Sequence, residues 1–600
     1  MRDVGAIARE SDVQPRPMVR AGRQHVLSSK LWAILWLLSF VLLAALLFNQ
    51  GWSAPSLNQI GGGPDDADAR LATWFLAWAP HALGHGLNPL FSASVDYPQG
   101  INLMWNTSMV FPALVLTPIT AAFGPVVSYN ALTTLALSLS AWCAYLAVRA
   151  LVASQVAAGL AGLLYGFSPF MISHALGQPS VLILLYPPLA LLLLNEILIR
   201  QRRSSVRLGV WLGLASAAQL LTGEEILATT VMFATVAVGL LALLNWQLVA
   251  NWQKIRARLG FAIRSLGVSL AVFAPVAAYP LWMQFFGPQR VTGLLPDRYA
   301  TDLLTFIVPT RLQLFTTPEL LTLSHRIITR NLQEESGAYL GVPLVLLLLA
   351  VTIVFRSKIL VLLAAATAAV VGLLAMGSAL QIGGHVTHYH LPGRLLENKP
   401  LFRSVVPPRL VPYIFLMVAV LLGVFVAAFM SARTWRARVA GSLATAAALL
   451  PLFPALPYPA PPAYTPPFFL SGGDVRRIPE DQVVLVAPFS RAYNSEAMLW
   501  QAQSGMRFRM PEGYGWRPGP DRSPAPSSLQ TQMGAIQDGT PVPPMTSELR
   551  RQLIDDLDRF DVKTIIVGPV HGEAEMVSMF TMVLGSSPDY TGGVYIWWHV

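Results

Sequence analysis

The sequence predicts a polytopic α-helical membrane protein that carries a C-terminal extracytoplasmic α/β domain. Hydrophobic residues make up 54% of the chain and charged residues only 12%, whereas about a quarter of a soluble domain is charged. About twelve apolar stretches come near the roughly 20 residues that a spanning helix needs. After residue 457 the pattern changes to a proline-rich segment and then to short strand-like runs. These features place most of the chain in a lipid bilayer and its end outside it.

The apolar stretches divide residues 31–457 into candidate transmembrane helices. They cover approximately residues 31–50, 109–124, 127–148, 152–172, 178–198, 207–223, 226–246, 261–281, 339–355, 359–377, 410–431 and 439–457. The first follows a basic leader, residues 1–30, but it is longer than the apolar part of a signal peptide. Only a weak cleavage site follows it, so we expect an uncleaved anchor.

Orientation follows from the short loops that are rich in Lys and Arg, because such loops stay in the cytoplasm. These loops are the leader and residues 200–207, 253–264, 356–358 and 432–438. The loops 51–108, 282–338 and 378–409 and the tail then lie outside. Four apolar stretches fall between residues 109 and 198, where an odd number of crossings is required. We expect the 109–124 stretch, which two prolines interrupt, not to span, so that about eleven transmembrane helices remain.

The tail is expected to form a small α/β domain behind a stiff linker. Residues 458–480 are rich in proline, which disfavours a helix and favours an extended conformation. Strand-like runs follow at 482–489, 562–569 and 592–600, and the segment TSELRRQLIDDLDRF is typical of a capped helix. The predicted domain covers residues 481–600.

Composition and motifs exclude several classes of function. The net charge of +10 comes largely from arginines in short loops that set topology, so nucleic acid is not an expected partner. The single cysteine, Cys143, allows no intrachain disulfide and no cysteine-based metal site. The histidines of HVTHYH lack a defined zinc spacing, so a metal site there competes with a polar interfacial loop. No nucleotide-binding motif is present, and no nucleotide cofactor is expected.

Carboxylates beside apolar sequence are the first candidates for chemistry. The first outer loop carries Asp65, Asp66 and Asp68 directly before the aromatic run ATWFLAW. The segment TGEE places Glu224 and Glu225 between two apolar stretches, where a carboxylate is costly unless it faces a protein interior or a water-filled cavity. Adjacent helical residues point about 100° apart, so at most one of this pair should face a site. The alternative is that both mark an interfacial turn.

The outer loops also supply cations. They are Arg290, Arg298, Arg311, His325, Arg326 and Arg330 in one loop and Arg394, Lys399, Arg403 and Arg409 in another. One guanidinium group can bind two phosphate oxygens at once and always stays charged, which suits a phosphate headgroup at the membrane surface. Each of these residues, taken singly, could instead be exposed to water or contact a lipid headgroup without binding a substrate.

Acidic and basic groups on one outer face fit a substrate with its tail in the bilayer and a phosphate at the surface. A carboxylate can act as general base on an acceptor hydroxyl while arginines hold the leaving phosphate. That chemistry describes glycosyl transfer from a polyprenyl-phosphate-sugar lipid. A transporter or flippase of a lipid-linked glycan would need charges nearer the middle of the membrane. A noncatalytic envelope assembly protein, with the tail as its binding module, is the third alternative.

Several segments give the chain a resemblance to a known superfamily. They are DARLATWFLAWAPHALGHGLNPLFS, YPQGINLMWNTS, GPVVSYN, LYGFSPF, TGEE and LWQAQSGMRFRMPEGY. With the anchor, the acidic first loop and the outer tail, the chain resembles the GT-C superfamily of integral-membrane glycosyltransferases, and more closely a bacterial group within it. The resemblance implies a protein of the bacterial inner (plasma) membrane with a cytoplasmic N-terminus. It also implies an acceptor that is a cell-envelope glycan, lipid or protein.

Roles follow from the residues and the resemblance together. The superfamily places a catalytic carboxylate in the first outer loop, and Asp68, six residues before Trp74, matches it best. Asp65 and Asp66 compete with it, and Glu224 is expected as a second catalytic carboxylate. The expected substrate-binding residues are His174, Glu225, Arg298, Arg403 and Arg409. No metal ligand is assigned, and a divalent cation stays an open alternative because some members of the superfamily bind one and others do not.

Overall fold

The computed structural model describes residues 19–62, 67–249, 251–291, 299–328, 334–397, 405–470, 472–490, 494–518 and 526–600. Its helices are Val19–Leu47, Asn49–Ser53, Ala67–Gly84, Val110–Val115, Thr117–Phe123, Pro125–Leu151, Gln155–Gly166, Pro169–His174, Pro179–Leu182, Tyr186–Leu194, the π-helix Asn195–Arg200, Ser205–Leu220, Glu224–Leu244, Trp246–Val249, Trp252–Phe286, Pro318–Ile328, Val342–Val354, Ile359–Ala375, Arg394–Glu397, Val411–Met430, Trp435–Leu449, Glu496–Gln503, Ser528–Gln537, Ser547–Arg559 and Glu573–Leu584. Its strands are Phe91–Ser92, Ile101–Asn102, Ala379–Ile382, His385–His390, Val484–Ala487, Thr564–Val567, Asp589–Thr591 and Val594–Trp598.

Seven stretches of helix within these described ranges are long and apolar enough to cross a membrane. They are Ser29–Leu47, Pro125–Leu151, Gln155–His174, Pro179–Arg200, Glu224–Leu244, Ile255–Phe286 and Pro407–Met430. Val342–Val354 and Ile359–Ala375 are apolar but shorter. The polytopic helical class is therefore confirmed, whereas the predicted count of about eleven spanning helices is not.

The 109–124 stretch, which was expected not to span, forms two short helices. Val110–Val115 has 6 residues and Thr117–Phe123 has 7, far from the roughly 20 that a bilayer requires. Pro118 lies in the first turn of the second helix, where its missing N–H costs nothing. Three candidate spans remain between residues 125 and 200, the odd number that the predicted orientation requires.

Two helices of the bundle approach closely through a pair of glycines four residues apart. A Cβ on Gly209 would lie 2.4 Å from the carbonyl oxygen of Ser265, and one on Gly213 would lie 2.6 Å from that of Ser269. Small residues at this spacing let helix backbones meet in a membrane where larger side chains would hold them apart. The glycines therefore fix Ser205–Leu220 against the long helix that carries the two serines.

The tail contains a four-stranded sheet. Its first two strands are parallel, with Val484 opposite Thr564, and its other pairs are antiparallel. Thr546 caps the helix that precedes the second strand, because its side chain accepts a hydrogen bond from the N–H of Leu549. The spatial order is Val484–Ala487, Thr564–Val567, Val594–Trp598, Asp589–Thr591. The three predicted strands and the capped helix are confirmed, and the edge strand Asp589–Thr591 is additional.

The proline-rich segment 458–480 is partly extended, with short 3-10 turns near its end, but it is not a free spacer. The N–H of Gly61 donates to the carbonyl of Pro459 at 2.8 Å, which ties the segment to the first outer loop. Tyr458 is buried, and its hydroxyl donates to the carbonyl of Ile172 at 2.8 Å. These contacts hold the start of the tail against the helical bundle.

The tail also shares a core with the first outer loop. Its helix Glu496–Gln503 packs against Ala67–Gly84 of that loop. Trp74 donates through Nε1 to Gln501 Oε1 at 2.6 Å, and Ser495 donates to the carbonyl of Ala67 at 2.9 Å. Asp68 is the next residue after Ala67, so the tail helps to position this candidate carboxylate.

Candidate active site

Charged side chains from separate parts of the chain meet at one end of the helical bundle. Arg409 lies in the first turn of a spanning segment. Its Nη1 donates to Glu225 Oε2 at 2.6 Å and its Nε donates to Glu335 Oε1 at 2.9 Å. The N–H of Val406 donates to the other oxygen of Glu225 at 3.1 Å. One guanidinium therefore joins two carboxylates that are distant in sequence.

His174 completes this group from the end of another helix. Its Nδ1 lies 3.0 Å from the carbonyl oxygen of Phe170, and its Nε2 lies 3.6 Å from Glu335 Oε2. Because a carbonyl only accepts, Nδ1 carries a proton, and Nε2 faces the carboxylate favourably only when it is protonated as well. The side chains of His174 and Glu335 are 0% and 1% exposed. We refer to His174, Glu225, Glu335 and Arg409 as the ionic cluster.

Glu335 is held in its charged form despite its burial. Removal from water favours the neutral acid, but the Arg409 guanidinium and, to a smaller extent, His174 lower the pKa of Glu335 to about 2. A buried carboxylate is tolerated in this state only beside a matched cation. Arg409 serves both Glu225 and Glu335, so acidic charge exceeds basic charge in the ionic cluster unless His174 is protonated.

The ionic cluster lies on the face of the bundle opposite the basic loops. Glu225 and Arg409 each stand at the start of a spanning segment. The first of these segments is followed by the basic residues 253–264, which lie at the start of the helix Trp252–Phe286. The second is followed directly by the basic residues 432–438. The orientation itself stays a prediction, in which the candidate residues face the outer side.

Glu224 and Glu225 have different partners. Glu224 Oε1 lies 3.5 Å from Gln284 Nε2, and the side chain lines a small cavity together with Ser108 and Thr222. Adjacent positions on a helix point about 100° apart, which accounts for the divergence. Glu225 therefore faces the ionic cluster, and Glu224 faces the first outer loop.

The first outer loop contacts the bundle beside the ionic cluster, just before its acidic segment. The N–H of Gly62 donates to the carbonyl of Leu176, two residues after His174. Asp68 follows Gly62 by six residues, so the two lie within roughly 20 Å of each other at about 3.5 Å per extended residue. The candidate base therefore follows closely in the chain after a contact that lies two residues from His174.

Asp68 is bound by a residue of the tail. It lies in the first turn of Ala67–Gly84 and accepts a hydrogen bond from the hydroxyl of Tyr514 at 2.6 Å. Two residues later, Arg70 forms an ion pair with Glu496 of the tail at 3.2 Å. A hydroxyl that donates to a carboxylate oxygen fixes the orientation of that carboxylate.

A second group of charges joins the same tail segment to the first outer loop. Arg517 donates to Asp96 Oδ2 at 3.0 Å and also contacts Asp96 Oδ1. Glu512 is fully buried, and its Oε1 accepts from the N–H of Val486 at 3.3 Å. Burial raises the pKa of Glu512 to about 8 and, against the opposing effect of Arg517, the pKa of Asp96 to about 6. We call Asp96, Glu512 and Arg517 the junction cluster.

Three predicted site residues come together in the structure, and three cannot be placed. His174, Glu225 and Arg409 meet in the ionic cluster. The predicted residues that lie outside the described ranges are Asp66, Arg298 and Arg403, together with the competing Asp65.

Two residues of the site were missed by sequence reasoning. Glu335 lies in the segment NLQEESGAY of an outer loop, where a pair of carboxylates before an apolar stretch is the only signal. Tyr514 lies in MPEGY, which contributes to the resemblance but has no pattern that indicates chemistry. Both act through contacts with residues far away in the chain, and such contacts have no local pattern.

Within the described ranges, no three His, Cys, Asp or Glu side chains form a group that could hold a metal ion. The histidines of HVTHYH lie along the strand His385–His390 and are mostly exposed. Asp65 and Asp66, which the divalent-cation alternative concerns, fall outside those ranges.

Comparisons with known proteins give matches only among solved structures. No family model matches the chain, and no curated protein matches it. The chain is similar to the arabinofuranosyltransferase AftD from Mycobacteria, with 14% identity, a TM-score of 0.48 and coverage of 94% of this chain and 40% of that one. It is similar to the oligosaccharyltransferase of Archaeoglobus fulgidus, with 10% identity, a TM-score of 0.46 and coverage of 89% and 69%. It is also similar to ArnT from Cupriavidus metallidurans bound to undecaprenyl phosphate, with 11% identity, a TM-score of 0.43 and coverage of 94% and 97%.

Two of these proteins are named as glycosyl-transferring enzymes, an arabinofuranosyltransferase and an oligosaccharyltransferase. The chain spans about 40% of the length of AftD. At identities of 14% or less and TM-scores below 0.5, the similarity assigns no residue role. The functional proposal therefore rests on the residues of the site.

Proposed function

We propose that this protein is a membrane glycosyltransferase that moves a sugar from a polyprenyl-phosphate-sugar lipid to an acceptor on the extracytoplasmic face. The main support is the position of the ionic cluster at the ends of spanning segments, beside the loop that leads to Asp68. Ionisable groups at such positions are costly and usually mark substrate sites. A lipid-linked phosphate would place its charge at this boundary and its tail in the bilayer.

In the proposed step, Asp68 accepts the proton of an acceptor hydroxyl while the hydroxyl oxygen attacks the anomeric carbon of the donor sugar. The bond between that carbon and the phosphate oxygen breaks, and its electron pair leaves with the polyprenyl phosphate. Tyr514 orients Asp68 for this role through its hydrogen bond. Asp68 then releases the proton to water, and Glu224 is proposed as a second carboxylate near the acceptor.

The leaving phosphate gains negative charge and needs a cation at the membrane boundary. Arg409 is anchored through Nε and Nη1, and its side chain is still 21% exposed. Its remaining edge is proposed to donate to phosphate oxygens. Because Glu225 and Glu335 hold the guanidinium in place before substrate binds, little rotational freedom is lost on binding. Arg298 and Arg403 are proposed as further phosphate contacts.

The proposed setting is the bacterial inner membrane, with a cell-envelope glycan, lipid or protein as acceptor. The leader 1–30 is then cytoplasmic, residues 31–457 form the membrane region, and 458–480 connect it to an outer domain of residues 481–600. In this arrangement the tail reaches the reaction site through Tyr514, so it takes part in the reaction rather than only docking a partner.

Transfer of radiolabelled sugar from a panel of polyprenyl-phosphate sugars tests the proposal. Membranes would contain wild type, Asp68→Asn or Glu548→Gln at matched protein levels. Glu548 is an exposed tail carboxylate that pairs with Arg551, so its variant is a matched control. We expect Asp68→Asn to lower transfer by about 100-fold or more, since general base catalysis contributes of that order, and Glu548→Gln to leave it unchanged.

Two outcomes would contradict the proposal. If wild type and Asp68→Asn transferred sugar equally well, Asp68 would not be the general base. If wild type consumes no donor of the panel, a transporter of lipid-linked glycans becomes the better explanation, and movement of a labelled lipid-linked glycan in proteoliposomes would then identify it.

A further inference from the structure

An apolar crevice opens on the flank of the helical bundle. The empty space in and around the crevice amounts to about 780 Å³, part of which is open solvent. The only polar residues that line it are Asn195, Thr230 and Thr367, within the described ranges. It lies between the segments Pro179–Arg200, Glu224–Leu244, Ile359–Ala375 and Pro407–Met430. The crevice is therefore a hydrocarbon environment inside the membrane region.

The crevice extends from the middle of the bundle to the end that carries the basic loops. On Glu224–Leu244 its lining runs from Thr230 to Leu241, which is about 16 Å at 1.5 Å per residue. Ile199 and Leu360 also line it and lie next to basic loops of the chain. Its contents would therefore come from the leaflet on the basic side.

A closed group of hydrogen bonds separates the crevice from the ionic cluster. Tyr413 Oη lies 2.8 and 2.9 Å from the hydroxyls of Thr229 and Thr230, and it donates to the carbonyl of Ile226 at 3.2 Å. The tyrosine ring stacks on Phe233 at a centroid distance of 4.9 Å and is fully buried. Tyr413 and its partners therefore lie between the lining residue Thr230 and Glu225 of the ionic cluster.

Two buried polar groups in the crevice have no hydrogen-bond partner among the described residues. They are Asn195 Nδ2 and Thr367 Oγ1, although their residues are only 8% and 0% exposed. Buried polar groups are nearly always paired, so an oxygen of a bound molecule is the expected partner. Asn195 also begins a π-helical segment, a distortion that is frequent at functional sites.

Basic residues outnumber acidic ones at the mouth of the crevice, where Arg200 Nη1 also lies 3.7 Å from Glu196 Oε1. Arg149, Arg200 and Lys358 each stand within two positions of a residue that lines it. Arg200 and Lys358 are exposed. Basic side chains at the membrane surface attract anionic headgroups, so the charge at the mouth complements an acidic phospholipid.

We propose that the crevice binds one hydrocarbon chain of an anionic phospholipid from the leaflet on the basic side. The chain lies between the four helical segments, Asn195 Nδ2 donates to an ester carbonyl oxygen of the lipid, and the phosphate lies at the basic mouth. The bound lipid supports the distorted segment that begins at Asn195. This site is separate from the ionic cluster and does not depend on the proposed transfer reaction.

Native mass spectrometry tests this site. The full-length protein, purified in detergent, would be incubated with equal amounts of phosphatidylglycerol and undecaprenyl phosphate. Ala237→Trp fills the crevice, because Ala237 lines it. Val231→Trp is the matched control, since Val231 is on the same helix, is 57% exposed and does not line the crevice. Asn195→Leu removes the amide whose Nδ2 has no partner among the described residues and nearly preserves the size of the side chain.

We expect wild type and Val231→Trp to retain a single phosphatidylglycerol, and Ala237→Trp to retain it about tenfold less well because the chain loses its buried position. Asn195→Leu should also weaken retention. The proposal would be overturned if wild type, Ala237→Trp and Asn195→Leu all retained the same amount of phosphatidylglycerol. The proposal would also be overturned if undecaprenyl phosphate displaced phosphatidylglycerol from wild type but not from Ala237→Trp, because the crevice would then bind the polyprenyl lipid instead. If Ala237→Trp aggregates, Asn195→Leu decides, because it removes only the side-chain amide and is not expected to disturb folding.

Discussion

At the scale of single residues, the ionic cluster makes four side chains depend on one another. Glu335 is almost fully buried and pairs with Arg409, while the His174 imidazole lies 3.6 Å away. Glu225 is 18% exposed in its side chain, and it holds the same guanidinium from the other side. Removing one partner from such a group destabilises the protein more than replacing the whole group with apolar residues, because a buried charge is left without a partner.

Replacing Arg409 should therefore destabilise the protein in proportion to the charge that is lost. We expect Arg409→Gln to lower the free energy of unfolding by about 3–5 kcal/mol, the range for breaking a buried pair. Arg409→Lys keeps the charge but cannot serve both carboxylates, so its cost should be smaller. Chemical unfolding in detergent measures both variants. A Gln variant that is as stable as the Lys variant would contradict this account of the ionic cluster.

Tyr514 offers a prediction for the reaction. Tyr514→Phe removes the hydroxyl that donates to Asp68, and hydrogen bonds to charged groups contribute about 1.5–3 kcal/mol. We expect kcat for sugar transfer to fall by roughly tenfold or more while the unfolding midpoint changes little. Tyr590→Phe, at a tyrosine of the tail that is 66% exposed, is the control. An unchanged kcat in Tyr514→Phe would show that Asp68 needs no orientation by the tail.

At the scale of elements, the first outer loop is held between the helical bundle and the tail. Gly61 and Gly62 contact the bundle, and Ala67–Gly84 packs on the tail helix Glu496–Gln503. The acidic segment joins these two attachments. Its position is therefore set by the elements on both sides and not by its own residues.

Gly61 is the residue of this loop with the strictest backbone requirement. Its φ is +70°, and a Cβ there would lie 2.1 Å from the carbonyl oxygen of Ala175. We expect Gly61→Ala to destabilise the protein by about 1–3 kcal/mol or more, through strain and the displaced loop. Gly84→Ala is the control, because a Cβ on Gly84 meets no atom within 4 Å. Thermal unfolding of the two variants compares them, and equal midpoints would refute the close approach.

The junction cluster should make docking of the tail depend on pH. The pKa of Glu512 is raised from 4.5 to about 8 by burial, with Asp96 and Arg517 facing it. A carboxyl with a raised pKa contributes stability that is complete below its ordinary pKa and is lost as the pH rises through the folded value. Stability should therefore fall between about pH 5 and pH 9.

Glu512→Gln should flatten this profile, because the amide cannot ionise. At pH 9 we expect the variant to exceed wild type by roughly 2 kcal/mol or more, whereas near pH 5 the two should be similar. Protease sensitivity of the tail, measured across this range, reports docking directly. A parallel fall in both proteins would assign the pH dependence to other groups.

At the scale of the whole molecule, the site and the crevice lie towards opposite faces of the bundle. The ionic cluster is at the end away from the basic loops, and the crevice opens towards them. This arrangement allows the orientation to be tested by labelling one position on each side of the membrane. Arg203, in a basic loop, and Ala574, in the tail, are both exposed and suit this purpose.

A membrane-impermeant maleimide should label these two positions from opposite sides. In a Cys143→Ala background, we expect Ala574→Cys to react in intact spheroplasts and Arg203→Cys to react only after lysis. Wild-type Cys143 is buried and should react in neither state. Labelling of both engineered positions in intact cells would overturn the predicted topology.

The sequence by itself determined the membrane class, the sheet-containing tail and the interruption of the 109–124 stretch, which forms two short helices. These features follow from apolar length, strand-like runs and prolines, which act over a few neighbouring residues. It also indicated Glu225 and Arg409, since charges beside hydrocarbon stand out in such a chain.

Only the tertiary structure decided that Arg409 joins Glu225 to Glu335, that His174 faces the same carboxylate and that Tyr514 binds Asp68. Each of these contacts links residues that are separated by tens to hundreds of positions. Burial supplies the physical reason: charges removed from water must find partners in space, and the fold alone determines which ones are within reach.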